Sequence, residues 1–113
     1  MAGLIENKGV PMVCCGEKLT ELIPNSAEAS SDKHLPVVTV SADNIVVQVG
    51  NIAHPMTDEH KITFVYVETE QGGQRKCLKP GTEPNLEFRF SNDKPIAVYA
   101  YCNLHGLWKT DIN

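Results

Sequence analysis

Turn residues interrupt this chain so often that no stretch remains for a helix of more than one or two turns, and that feature narrows the fold more than any other. Ala42-Asp43-Asn44, Gly50-Asn51, Gln71-Gly72-Gly73, Pro80-Gly81 and Asn92-Asp93-Lys94-Pro95 carry the Gly, Pro, Asn and Asp that tight turns require. Between them lie short extended runs: Leu19–Ile23, Val37–Val40, Ile45–Val49, Lys61–Glu68, Arg75–Leu78, Leu86–Phe90 and Ile96–Tyr101. Alternation predicts the inward faces, with Leu86, Phe88 and Phe90 in one run and Ile62, Phe64 and Tyr66 in another. One helix-like stretch runs from Asn25 to about Ser31, with Asn25 or Ser26 as its N-cap. Seven short strands with regular turns predict an all-β fold, an immunoglobulin-like antiparallel β-sandwich. Residues 1–12 have weak periodicity and read as a short N-terminal arm, and residues 1–113 read as one domain without repeat or linker.

Composition removes several functions. Hydrophobic residues at 42% and charged residues at 21% are ordinary globular usage, enough for one core without disulfide staples. Ten Lys and Arg against fourteen Asp and Glu give a net charge of −4, which argues against a nucleic-acid partner. The longest apolar run, Ile96–Cys102, is too short to cross a bilayer. Residues 1–8 lack the basic start and apolar stretch of a signal peptide. Of the four cysteines, Cys14 and Cys15 are adjacent, a spacing that strains a disulfide, and Cys77 and Cys102 stand alone. A reducing, cytoplasmic setting is therefore expected.

The four histidines fall at strand ends or in loops, where a rigid sandwich can bring ligands together at one rim. His34 precedes a run, His54 and His60 bracket one loop, and His105 follows Cys102 in a Cys-x-x-His unit. That unit places a thiolate and an imidazole on one turn, a donor pair suited to iron, copper or zinc. Spacing leaves all three metals open. Copper is weakened because no Met follows Met56, and structural zinc usually takes two or more cysteines. Four imidazoles with one thiolate fit iron with a position left open.

Lys33-His34-Leu35-Pro36, the stretch from Gly50 to His60 with its His54-Pro55-Met56 core, Leu78-Lys79-Pro80-Gly81 and Cys102-Asn103-Leu104-His105-Gly106-Leu107-Trp108-Lys109 resemble superoxide reductase, the desulfoferrodoxin/neelaredoxin family. The likeness runs from about Cys14 to Lys109. It implies an immunoglobulin-like sandwich holding one iron per chain, with His34, His54, His60 and His105 equatorial and Cys102 axial. It implies one-electron reduction of superoxide to hydrogen peroxide, with rubredoxin or a similar protein as donor. Lys33 would then lie near the open side, where its ammonium draws in superoxide and assists protonation through water. Asp32 stands where many members have a Glu able to take the sixth iron position; one methylene shorter, it is expected to reach the ferric ion poorly. Cys14-Cys15-Gly16 resembles the end of the small iron domain of two-iron relatives, but no Cys-x-x-Cys precedes it, so a second iron is not expected. Cys77 reads as a structural free thiol. Single-iron relatives are commonly homotetramers and two-iron relatives homodimers, so a homo-oligomer, tetramer first, is expected. Two other readings stand beside this one: an electron-transfer or metal-binding sandwich without superoxide turnover, and an interaction domain that merely shares the architecture.

Overall fold

The computed structural model describes residues 1–27 and 29–112. Among the described residues nine strands and one short helix are formed, and no helix is long and apolar enough to cross a membrane. Strands β1 (Val13–Cys14) and β2 (Glu17–Lys18) make a small hairpin. Its two central residues, Cys15 and Gly16, both have positive φ, at 54° and 80°, as the twist of a two-residue hairpin demands. Helix α1 (Ser31–His34) follows, then β3 (Pro36–Val40), β4 (Asn44–Val49), β5 (Ile62–Thr69), β6 (Gly72–Cys77), β7 (Asn85–Arg89), β8 (Pro95–Cys102) and β9 (Gly106–Asp111). All pairings are antiparallel, in a three-stranded sheet β3-β4-β7 and a four-stranded sheet β6-β5-β8-β9. Seven strands in two sheets with crossing connections form the expected immunoglobulin-like sandwich.

The core lies between the sheets, with Ile45, Val47, Val49 and Phe88 from one and Ile62, Val65, Val67, Val98, Ala100 and Cys102 from the other. Phe88 is fully buried, and Leu86 and Phe90 pack against the core from the same strand face, as alternation predicts. In β5 the alternation misleads. Ile62 points inward, but a register shift before Phe64 turns the following residues over, so Val65 and Val67 fill the core. Phe64 and Tyr66 therefore stand half-buried on the outer face, stacked on Tyr101 and tilted against Tyr99. With apolar or aromatic residues at all four positions from Phe64 to Val67, only the bulge decides which set is buried.

Two expected elements are replaced. Leu19–Ile23 forms no strand: Leu19 donates to the Met12 carbonyl, extending the small hairpin by one bond, and Leu22 and Ile23 run on exposed. The seventh strand of the sandwich is instead β9, which pairs with β8. The helix expected over Asn25–Ser31 also does not form; residue 28 of it lies outside the described residues. Asn25 adopts a left-handed conformation, φ 62°, and serves β9 instead. Its N–H donates to the Leu107 carbonyl at 2.9 Å, and its side chain both donates to the Lys109 carbonyl at 3.2 Å and accepts from the Lys109 N–H at 2.8 Å. An amide used this way as a strand-edge clip cannot also cap a helix.

Register places every candidate ligand at one end of the sandwich. Pro36, opening β3, pairs with Val49, closing β4; Ile62, opening β5, pairs with Cys102, closing β8; and Cys102 pairs with Gly106, opening β9. The segment before β3, the β4–β5 loop and the β8–β9 turn thus share a rim.

Candidate metal centre

The rim is built from backbone upward. Gly50 follows β4 with φ +85°, and its N–H donates to the Leu35 carbonyl at 3.0 Å while the Ile52 N–H donates to the Asp32 carbonyl at 3.0 Å. The two chains approach so closely that a Cβ on Gly50 would lie 2.5 Å from the Ile52 oxygen and 2.6 Å from the Lys33 oxygen. Glycine therefore locks the β4–β5 loop to the helix that carries His34. Farther along that loop, Thr57 and His60 close a turn: the Thr57 N–H donates to the His60 carbonyl, and the His60 N–H donates to the Thr57 hydroxyl.

The four imidazoles meet as a closed ring. Centroids of His34–His54, His54–His60, His60–His105 and His105–His34 are 4.7, 4.6, 5.1 and 4.8 Å apart, and each pair meets edge to face. Across the ring His34 and His60 are 6.3 Å apart. Donor atoms of His34, His60, Cys102 and His105 all lie within 4.8 Å of one another. His54 stands outside that tightest group, although its ring touches both His34 and His60.

Neighbouring groups fix which nitrogen faces inward. The His34 Nδ1–H donates to the Ser30 carbonyl at 2.6 Å, and the His54 Nδ1–H to the Pro55 carbonyl at 2.7 Å, which leaves each Nε2 free as an acceptor. Nδ1 of His105 faces inward, 3.1 Å from His34 Nε2 and 3.8 Å from the Cys102 sulfur. Nε2 of His54 and of His60 are buried without a hydrogen-bond partner among the described residues. An orphaned buried nitrogen is costly in a folded protein, and two of them aimed into a ring of imidazoles beside a buried thiol are the pattern a metal ion relieves. The residues present fit such an ion.

Electrostatics favour neutral rings at His34, His54 and His60. Burial lowers the pKa of His54 to about 4, opposed by its bond to the Pro55 carbonyl and assisted by the other histidines. Burial likewise lowers His34 and His60, and the charges of His105 and Lys33 add to this at both. Lys33 is exposed on α1, so its ammonium is felt at the rings from the solvent side. Asp32 is exposed too, and among the described residues neither side chain is held in an ion pair. Cys14 and Cys15 sit exposed in the β1–β2 hairpin and Cys77 ends β6 exposed, none of them within the donor group.

The histidines and Cys102 were legible in the sequence, but the groups that hold them were not. Trp108 on β9 stacks on His34 at 4.9 Å and donates its indole N–H to the His105 carbonyl at 3.2 Å. It is the sole tryptophan and lies three residues past His105, a spacing that could have suggested support for the turn. Ser30 and Pro55 act through their carbonyls, which carry no sequence signal.

Fold and donor set define a class: an immunoglobulin-like sandwich with a histidine–cysteine metal-binding architecture at one rim. The family model for desulfoferrodoxin matches residues 26–111. The desulfoferrodoxin of Clostridium acetobutylicum is 37% identical over 109 residues, covering 96% of this chain and 86% of that one. A superoxide reductase of Pyrococcus horikoshii is 34% identical, over 77% of this chain and 91% of its own. Among solved structures, the superoxide reductase from Treponema pallidum superposes with a TM-score of 0.86 at 35% identity, over 96% of this chain and 91% of that one. The chain belongs to the desulfoferrodoxin family.

Proposed function

We propose that this protein is a superoxide reductase whose iron, one per chain, would be held by His34, His54, His60, His105 and Cys102. The observation that carries the reading is the closed ring of four imidazoles beside a buried thiol, with two ring nitrogens left without partners. Bound iron would supply the single electron that, with two protons, converts superoxide to hydrogen peroxide, and a rubredoxin-like donor would restore it.

The chain's own residues bind, orient and steer. Neutral imidazoles add no charge to the site, so an anion is not repelled by its ligands. Lys33 supplies a local cation against a net charge of −4 and, through water, a route for protons. Trp108 covers one face of His34 and keeps water from it. Cys102, fully buried in the core, would be the electron-rich ligand, a lever that favours electron donation. Asp32, with its short side chain, is assigned no ligand role; a ferric spectrum whose pH dependence shifted on Asp32→Ala would contradict that.

We further propose that residues 1–113 act as one iron-binding domain, in the cytoplasm, as a homo-oligomer with a tetramer first. The three exposed free thiols suit a reducing compartment. Leu4, Ile5, Val10, Leu22 and Ile23, all exposed along the N-terminal region, suit self-association.

Metal analysis with an oxidised spectrum tests the reading. Iron is expected, with a thiolate-to-iron charge-transfer band that vanishes in Cys102→Ser. Added superoxide should yield peroxide without oxygen release, and turnover should persist only with an electron donor. Zinc in place of iron, or an iron protein inert to superoxide, would leave a metal-binding module and refute the proposal.

A further inference from the structure

We infer that Asn103 is the positioning residue for His60, an inference that rests on the metal centre proposed above. His34 and His54 each have a ring N–H tied to a backbone carbonyl, so their orientation is fixed at the imidazole itself. His60 has no such bond among the described residues, and its Nε2 is without a partner. With no hydrogen bond at the imidazole, its ring is placed by the neighbouring rings and by the backbone on which it stands.

That backbone is anchored on both sides by one side chain. The Lys61 N–H donates to Asn103 Oδ1 at 2.9 Å, and Asn103 Nδ2 donates to the Glu59 carbonyl at 2.9 Å. Beside these, the Asn103 N–H donates to the Lys61 carbonyl at 3.1 Å. The Thr57–His60 turn cannot do this work, because Thr57 belongs to the same loop and moves with it. Asn103 instead belongs to the β8–β9 turn, one residue past Cys102 and two before His105. Its amide couples the loop bearing His60 to the turn bearing the thiolate and the fourth imidazole. An exposed asparagine that offers an acceptor to one flank of a ligand and a donor to the other matches both needs at once. Neither Asp nor Ala can do so: Asp keeps the acceptor and lacks the donor, and Ala lacks both.

The test is a double-mutant cycle read as metal affinity, with cobalt(II) as the probe and a competing chelator, on the unmodified protein, Asn103→Ala, His60→Ala and the double variant. Outer groups that orient ligands typically contribute about 10- to 100-fold in metal affinity. Asn103→Ala should therefore weaken cobalt binding by at least about tenfold when His60 is present, and by less than about twofold in the His60→Ala background. Asn103→Asp should fall between the unmodified protein and Asn103→Ala, and it serves as the folded variant if Asn103→Ala loses its near-ultraviolet circular dichroism. Equal losses in both backgrounds would show a general structural role and overturn the inference, as would an unchanged affinity in Asn103→Ala. Failure of the unmodified protein to bind cobalt would instead overturn the metal centre itself.

Discussion

Gly50→Ala is expected to destabilise the metal-free protein by about 3 kcal/mol, from two separable causes. A side chain at φ +85° costs ~1–2 kcal/mol, because Cβ crowds the following carbonyl. The new methyl would also meet two backbone oxygens, of Ile52 at 2.5 Å and Lys33 at 2.6 Å, neither of which can swing away as a side chain would. Relief requires the loop to part from α1, with loss of the Gly50–Leu35 and Ile52–Asp32 hydrogen bonds at roughly 1 kcal/mol each. Gly81→Ala is the control. Its φ is +84°, nearly the same, but nothing lies within 4 Å of its missing Cβ, so it should lose only the ~1–2 kcal/mol of conformational strain. Urea unfolding of the metal-free proteins reads both, and the midpoint should fall further for Gly50→Ala at an unchanged slope. Because the loop that carries His54 and His60 would part from the helix that carries His34, Gly50→Ala should also weaken metal binding, whereas Gly81→Ala should not. Equal midpoints for the two variants would refute the argument that close approach, rather than backbone conformation alone, makes residue 50 a glycine.

Acid should loosen the metal-free fold before it protonates ordinary carboxylates. The folded pKa of His54, about 4, lies below its unfolded value of 6.5, so the unfolded chain takes the proton first. This stability is full above pH 6.5 and is lost as pH falls toward 4, up to roughly 3 kcal/mol, with His34 and His60 adding in the same direction. A urea midpoint flat across that window, or His54→Gln with the same slope as the unmodified protein, would be the contrary result. Lys33→Ala should slow the superoxide reaction and reduce its dependence on salt while metal content stays unchanged; a pulse-radiolysis rate equal to that of the unmodified protein would remove Lys33 from the chemistry. Trp108→Phe keeps a ring against His34 and loses the bond to the His105 carbonyl, about 1 kcal/mol, with part of the buried ring, whereas Trp108→Ala opens a core cavity at about 3–5 kcal/mol. Similar urea midpoints for these two would show that the stack matters little.

What could be read from the sequence follows how local each determinant is. The clustering of the four histidines with Cys102 was legible because histidine and cysteine are chemically distinctive and stand beside turn residues, so their convergence at a rim needs only a sandwich. Leu86–Phe90 was legible because polar Glu87 and Arg89 mark its outer face. Residues 61–68 were not, since Phe64 and Tyr66 compete with Val65 and Val67 and a one-residue bulge reverses the answer. The helix expected near Asn25 failed for a longer-range reason: its amide is engaged by Lys109, 84 positions away. Asn103 and Lys61 are 42 positions apart, and no local pattern marks either as support for His60.

Charge explains why histidines suit the proposed site. Among the described residues, no carboxylate hydrogen-bonds or ion-pairs with any of the four rings, and each lowered histidine pKa has burial as its first cause. A carboxylate in that second layer would strengthen a bound cation's hold but cancel its charge. Carbonyls from Ser30 and Pro55 orient the rings without adding a negative charge. With His34, His54 and His60 held neutral and Cys102 as the one thiolate of the proposed ligand set, a bound divalent ion would keep a net positive charge. Lys33 adds to that field and the chain's excess of four negative charges opposes it. Attraction of a small anion must therefore be local, short in range and confined to one rim. It follows that Lys33→Glu should slow the superoxide reaction more than Lys33→Ala, because it places at the rim the charge that the rest of the site is built to avoid.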